Sequence, residues 1–453
     1  FSYTGYADQK ITVRNNQTNL KVQLQNKKDL DEVVVVGYGT RRRSEVTGSM
    51  VSVSEQSIRD IPTANLASAM QGRAAGVDIQ KVNGNNKPGA GVSILIRGSR
   101  SVRAGNEPLI VVDGIPFSGN FNDLNPDDVT SVEILKDASA TAIYGSRGAN
   151  GVILVSTRRG KTGKAVVTYS GYGGTVKPLG KYKMMDAKEF FEFKKWAYYN
   201  GRFISGNNRK YTGPDDPNIL SSEFSAEELE SMENGSSTDW QDLVYQNGYI
   251  TDHQLGVSGG SENTQYAMSG GYYKETGVYP GQGFGRFSLK LSIDHQLNKM
   301  IRIGLSSLNT FATTNGENFN PMGQALRASP MVSPYDADGK LRNDFVPGSA
   351  SQVWNPLADF IPGAKEERKK RNSSFNVLYL DVNLGKWVNG LKYRFNGGAE
   401  LRSENYGNFY ASKTTNNSGA PSTSSNRNSQ TSSWTLEHLL NYDRTFADKH
   451  KLN

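Results

Sequence analysis

From residue 165 onward the chain alternates apolar and polar positions with period two. Between Arg286 and Asp294, Phe287, Leu289, Leu291 and Ile293 are apolar, and Arg286, Ser288, Lys290, Ser292 and Asp294 are polar. Leu391, Tyr393, Phe395, Ala399 and Leu401 alternate in the same way with Lys392, Arg394, Asn396, Glu400 and Arg402. Successive side chains of a strand point to opposite faces, so each stretch predicts a strand with one apolar and one wet face. The pattern predicts strands near 165–176, 249–260, 264–275, 284–296, 300–312, 372–387, 391–404 and 432–446. Tight turns are expected at Gly260 to Asn263, Gln296 to Met300 and Asn389-Gly390, and longer loops near 177–248, 276–283, 313–371 and 405–431. Short turns on one side and long loops on the other is the arrangement of bacterial outer-membrane barrels, and a soluble sandwich has no reason to sort its connections so.

Upstream the pattern is different. Residues 44–160 read as a compact α/β unit, with helices expected at 54–60, 66–72 and 138–144 and strands at 93–97, 109–112, 129–135 and 152–157 forming one mixed sheet. Residues 1–29 read as the last strands of a small β-domain, because Leu20 to Leu24 alternate cleanly. Between the two lie Glu32, Val33, Val34, Val35, Val36 and Gly37, a strong β-former with no partner in the local sequence. An ordinary buried strand and a donor strand held ready for the sheet edge of another protein both fit, and pattern alone does not separate them.

Composition narrows the class. Hydrophobic residues make up 36% of the 453 positions, and no run approaches the roughly 18 apolar residues of a membrane-spanning helix. Any crossing of a membrane must therefore use strands. The 48 glycines and 22 tyrosines suit a large antiparallel sheet with many turns and interfacial aromatics. Cysteine is absent, which excludes disulfides, thiolate metal sites and a thiol nucleophile. The net charge of +8 raises nucleic acid, but the basic residues are scattered. Their one dense run, Lys365 to Arg371 with Glu366 and Glu367 inside it, falls in a predicted loop and reads as a solvated surface toward anionic lipid or substrate. The chain opens and closes on what read as strand fragments, so both ends are expected to be cut.

Several segments together resemble the SusC/RagA family of TonB-dependent transporters. These are Asp31 to Gly39, Ile94-Leu95-Ile96-Arg97-Gly98, Leu109 to Pro116, and Ser131 to Ala138 continuing through Ala142 to Ile153, in the family's order over about 130 residues. The resemblance implies a mainly β protein: an α/β plug domain inside a large antiparallel transmembrane β-barrel of about 22 strands, of which the first eight fall in this chain. The corresponding divisions are 1–29 as the end of an N-terminal extension, 30–43 as TonB box and linker, 44–160 as plug and 161–453 as the first part of the barrel. It further implies an outer-membrane location in contact with lipid, capture of Glu32 to Gly37 by TonB and its inner-membrane motor proteins, a SusD-like surface lipoprotein over the mouth, and import of an oligosaccharide or a peptide. Plug arginines of related transporters at these motifs pair with barrel glutamates, which points to a latch of Arg97 and Arg147 with Glu400 and Glu437. By alternation both glutamates face the lumen, and they are expected at similar height above the turns.

Candidate chemistry elsewhere is sparse. His253, His295, His438 and His450 are isolated and lack metal-ligand spacing, and neither G-x-S-x-G nor H-E-x-x-H occurs. Gly174 to Tyr182 imitates a phosphate loop with one residue too many and no Ser or Thr after Lys181. Asp127-Asp128 and Asp215-Asp216 read as solvated turns or helix caps. No enzyme activity and no cofactor is expected, although acidic loops leave room for calcium. For substrate the loops 99–107 and 117–125 offer Arg100, Arg103, Asn106, Asn120, Phe121 and Asn122, amides for hydroxyls and an aromatic for stacking. In the first long loop Phe190, Phe191, Phe193, Trp196 and Tyr198 read as the core of the loop itself. A passive porin or adhesion barrel is the rival reading, and it leaves the plug-like unit unexplained.

Overall fold

The structure, a computed structural model, describes residues 33–36, 39–42, 50–61, 63–81, 87–103, 105–201, 203–205, 208–343, 353–446 and 450–452. The expected N-terminal strands of 1–29, and Glu32 and Gly37, lie outside the described residues. The chain forms two compact units: the first takes Phe1–Gln80, Val92–Ser118 and Pro126–Arg158, the second Lys81–Gly91, Gly119–Asn125 and Arg159–Asn453.

The first unit opens with a hairpin of β1 (Val33–Val36) and β2 (Gly39–Arg42), a separate two-stranded antiparallel sheet. The valine run therefore has a local partner, contrary to expectation, because a two-residue connection is enough to close a hairpin. Next come β3 (Met50–Ser54), α1 (Glu55–Arg59), α2 (Leu66–Met70), β4 (Val77–Lys81), β5 (Val92–Ile96), β6 (Leu109–Val112), β7 (Ile115–Phe117), β8 (Val129–Leu135), α3 (Ala138–Thr141) and β9 (Val152–Thr157). Ser54 and Asn65 start α1 and α2 by accepting hydrogen bonds from backbone N–H groups of their first turns. The sheet has five strands in the order β3-β8-β9-β6-β7, with β6 and β9 parallel and the other neighbours antiparallel. It is mixed, as expected, but β5 is not in it. That strand pairs with β4 instead, while the short β3 and β7 complete the sheet. Asp113 and Gly114, both at positive φ, make the turn between β6 and β7. The Asp113 carboxylate accepts from the Thr157 N–H and hydroxyl at 2.9 and 2.7 Å, tying that turn to the end of β9. Val111, Leu135, Tyr144, Val152 and Leu154 form one buried cluster of the unit's core.

In the second unit β10 (Gly163–Val176) is followed by α4 (Ala187–Gly201), β11 (Phe203–Ser205), β12 (Asn208–Arg209), α5 (Pro217–Glu223), α6 (Ala226–Asn234) and α7 (Trp240–Val244). Then come β13 (Gly248–Gly260), β14 (Thr264–Thr276), β15 (Gly283–Gln296), β16 (Ile301–Asn315), α8 (Met322–Ala325), β17 (Lys365–Asn383), β18 (Leu391–Tyr410), β19 (Thr423–Tyr442) and a terminal hairpin of β20 (Arg444–Phe446) and β21 (His450–Leu452). The eight long strands β10 and β13 to β19 form one antiparallel sheet in chain order. All eight were legible, but β17 starts seven residues before the expected 372, β18 ends six after 404 and β19 starts nine before 432. The extensions of β17 and β19 are polar on both faces, so period-two alternation fades there although the ladder of backbone hydrogen bonds continues. The basic run Lys365 to Arg371 is consequently strand, not loop.

Burial on this sheet is inverted relative to a soluble protein. Leu255, Leu289, Phe311 and Leu378 lie on one face at 57, 44, 49 and 49% exposure, whereas Arg286, Lys290 and Asp294 on the other are 2, 4 and 3% exposed. Burying one large apolar side chain stabilises by about 1.5–3 kcal/mol. A face that leaves a row of them uncovered is built for hydrocarbon, and its polar reverse for a wet or protein-filled interior. No helix among the described residues is long and apolar enough to cross a membrane.

The long connections at one end of the sheet fold together. One cluster buries Ala187, Tyr211, Ile219, Phe224 and Met331, with Phe190, Phe191 and Tyr198 packed against it. A second buries Trp240, Val244, Met322, Ala325, Ala328 and Val332. Both clusters draw on the loop after β10 and the loop after β16. Most of the first loop's aromatics thus serve its own core, while Phe193 and Trp196 remain exposed.

Candidate functional site

Three parts of the molecule bear on function, each within one unit. The coupling segment is the hairpin of β1 and β2, where Val33 pairs Arg42, Val34 pairs Arg41, Val35 pairs Thr40 and Val36 pairs Gly39. A two-stranded ribbon of this kind is by itself marginally stable in water.

The second part lies on the polar face of the large sheet, where the segment 119–125 is fastened. Asn120 caps the short 3-10 turn Phe121–Asp123: its side chain accepts from Asn122 N–H while the Asp123 carboxylate accepts from Asn120 N–H at 2.9 Å. The other Asp123 carboxylate oxygen takes Arg371 Nε of β17 at 2.7 Å, with the two side chains only 2 and 11% exposed. The Thr310 hydroxyl of β16 donates to the Asp123 carbonyl at 2.7 Å. Arg286 of β15 donates to the carbonyls of Asn122 and Leu124 and to the Asn125 side chain. Asn125 in turn donates to Gln254 of β13 and Ser288 of β15. Four strands converge on seven residues, with every donor buried or half-buried, where charge-assisted hydrogen bonds are strongest. The Asn122 amide donates to the Gly89 carbonyl at 2.8 Å, and Gly89, at φ 65°, sits where a Cβ would meet the Phe284 ring at 2.3 Å. Nearby, Lys87 Nζ donates to the Glu317 carbonyl, and burial lowers its ammonium pKa below the usual lysine value.

A second polar cluster fixes the start of the sheet. Arg159, in the link into β10, pairs with Asp294 at 3.1 Å and lies 5.5 Å from the centre of the Tyr379 ring, whose hydroxyl donates to the same carboxylate. Any side chain on Gly160 would collide with the Tyr266 backbone nitrogen at 2.3 Å.

Against this geometry the expected substrate residues divide. Phe121 and Asn122 are buried and committed to the fastening just described, and Asn120 is its cap. They are anchor residues in this conformation, not a ligand surface. Asn106 closes its own loop, accepting from the N–H groups of Arg100 and Ser101 and donating to the Ser101 carbonyl. The Arg100 guanidinium donates to the Ala149 carbonyl, and Arg103 is exposed. The four latch candidates fall two to each unit. Arg97, itself at φ 58°, pairs with Asp137 at 2.5 Å, and Arg147 is exposed. Glu400 is buried, and Glu437 accepts from Asn396 at 3.3 Å. Both glutamates face the polar side, but Glu400 pairs with Ser433 whereas Asn396 pairs with Glu437. They are therefore offset by four residues, roughly 13 Å, and the expected equal height is corrected. Sequence reasoning missed Asp123, Asn125, Arg286 and Arg371. The capping pair Asn120 and Asp123 and the polar phase of β15 and β17 were visible, but not the partnership between them. Among the described residues no group of three or more His, Asp or Glu is placed to hold a metal ion.

Comparison with known proteins adds the following. Residues 42–152 match the TonB-dependent Receptor Plug Domain. The chain is 32% identical over 460 residues to TonB-dependent receptor P3 of Formosa agariphila, covering 99% of this chain and 42% of that protein. It is 30% identical over 411 residues to TonB-dependent receptor SusC of Bacteroides thetaiotaomicron, covering 84% of this chain and 37% of that protein. The chain thus spans about two fifths of the length of the curated relatives it matches. Among solved structures the RagAB peptide importer in its open-open state aligns at a TM-score of 0.75 and 22% identity, over 93% of this chain and 48% of that one, a likeness of fold.

Proposed function

This chain belongs to the SusC/RagA family of TonB-dependent transporters, and from that premise we propose that it serves TonB-dependent active import of oligosaccharides or oligopeptides across the outer membrane. The observation that carries the proposal is the hairpin of β1 and β2, a donor strand held by one weak ladder directly ahead of the plug match. TonB captures Val33 to Val36 by strand addition, and the pull is passed to the plug. A SusD-like lipoprotein covers the loop module formed after β10 and β16. For substrate the exposed Arg103 offers charge to a peptide carboxylate or a sugar hydroxyl. In the same reading Arg97 and Arg147 are the plug half, and Glu400 and Glu437 the barrel half, of a latch that holds the plug and breaks under load. The exposed apolar face of the sheet supports placement in a bilayer.

Deleting residues 32–37 from the full-length protein tests the proposal. Growth on the transported glycan or peptide is expected to stop while outer-membrane levels, read by blot, stay normal. Undiminished growth at normal levels would refute energised import through this segment and favour a passive pore.

A further inference from the structure

The basic run Lys365 to Arg371 has a use that loop placement had hidden. On β17 the run alternates. The odd residues face the polar side, and all are committed. Lys365 pairs with Asp359 at 3.2 Å, Glu367 accepts from the Asn318 N–H at 2.7 Å, Lys369 pairs with Glu317 at 2.7 Å, and Arg371 pairs with Asp123. The even residues Arg368 and Lys370 are exposed on the apolar side and pair with no described carboxylate. Glu366, the next outward residue, is exposed beside them without forming an ion pair to either.

Their height is set by register. Tyr272, Phe287 and Phe311 stand side by side across β14, β15 and β16, all outward and 44–49% exposed. One outward row further along, Lys274 pairs Gly285, Gly285 pairs Thr313 and Thr313 pairs Lys370. Cations therefore begin roughly 7 Å, two residues of strand, beyond an aromatic row. Lys274 and Lys370 are separated by three strand spacings, about 14 Å. Aromatic rows mark the level where hydrocarbon meets headgroups, and the long-loop end of the sheet is the end at which these cations stand.

We propose that Lys274, Arg368 and Lys370 form a binding site on the outward face for the phosphates of an outer-leaflet lipid. The inference rests on the reading of this sheet as membrane-spanning. Acyl chains lie along Leu289, Phe287 and Phe311, and the headgroup phosphates lie between the lysines. Had these cations served folding, they would be paired as their inward neighbours are.

The test uses full-length protein extracted from outer membranes in mild detergent, with phosphorylated lipid per protein measured by mass spectrometry. The variant K274Q/R368Q/K370Q is compared with K299Q/K386Q/K392Q, which makes the same charge change at the short-turn end of the sheet. Each cation near an anionic surface contributes about fivefold to binding, so the first variant is expected to lose at least tenfold of its bound phosphorylated lipid and the second to retain it. Equal retention by both, or equal loss from both, overturns the site. Outer-membrane fractionation and a heat-modifiable band on gels are read in parallel. Failure of those in the unmodified protein defeats the barrel reading itself, and the site falls with it.

Discussion

Replacing Arg371 by alanine removes one side of an ion pair whose other side, Asp123, is 2% exposed. Asp123 would keep its hydrogen bond from Asn120 N–H but lose its countercharge. Removing one partner of a buried pair costs about 3–5 kcal/mol, because the survivor is left desolvated. The bonds from Thr310 and Arg286 to the same segment persist, so the lower figure applies. At about 1.4 kcal/mol per decade this raises the opening equilibrium of residues 119–125 by roughly a hundredfold. Hydrogen exchange followed by mass spectrometry on a peptide covering 119–125 reads that change directly. Arg368→Ala, three residues away but outward-facing, is the matched control and is expected to leave exchange there unaltered. A rise of less than about threefold in Arg371→Ala would show that the pair does not hold the segment, and the account of the fastening would fail.

Two further outcomes follow from the loop module. Trp240 is 3% exposed in one long loop and its Nε1 donates to the Ser329 carbonyl of the other at 2.9 Å, so Trp240→Ala is expected to cost the module about 3–5 kcal/mol. Limited proteolysis should then cut within 313–343 at protease levels that spare the parent. Asp216 caps α5 and accepts from the N–H groups and side chains of Thr212 and Asn218, which hold its pKa at about 2 against 3.8 when unfolded. Its contribution is therefore complete above pH 3.8 and lost as pH falls toward 2. Asp216→Asn should flatten the acid limb of module stability measured by tryptophan fluorescence, and an unchanged limb would contradict the cap.

Legibility in the sequence followed burial chemistry. Strands with one apolar face, such as β15, were readable to within a residue, because lipid on one side and polar groups on the other impose a strict period of two. The same signal vanished over Thr423 to Ser433, which is strand by hydrogen bonding alone. The tight turns and loop sorting were visible because they need only glycine, asparagine and spacing. What the sequence withheld was pairing across long separations. Asn120, Phe121 and Asn122 have the chemistry of a sugar site, and nothing local says that Arg286 and Arg371 have claimed that stretch. The offset of Glu400 and Glu437 likewise depends on the stagger between β18 and β19, which alternation cannot supply. The weak partner of the valine run was missed for a simpler reason: Gly39 to Arg42 has little β-propensity and pairs only because it is adjacent.

The two long loops share their hydrophobic interior, since Met331 of one fills the cluster around Ile219 and Phe224 of the other, and Trp240 sits among Met322, Ala325 and Val332. Neither loop is then an independent unit of inheritance. A natural recombination or a laboratory graft that exchanges one of them alone would leave half an interface facing a stranger. Diversification of the mouth should proceed by exchanging both at once or by changing side chains on their outer surface, and engineered chimaeras of such receptors ought to carry their crossovers in β10, β13, β16 and β17, outside the pair.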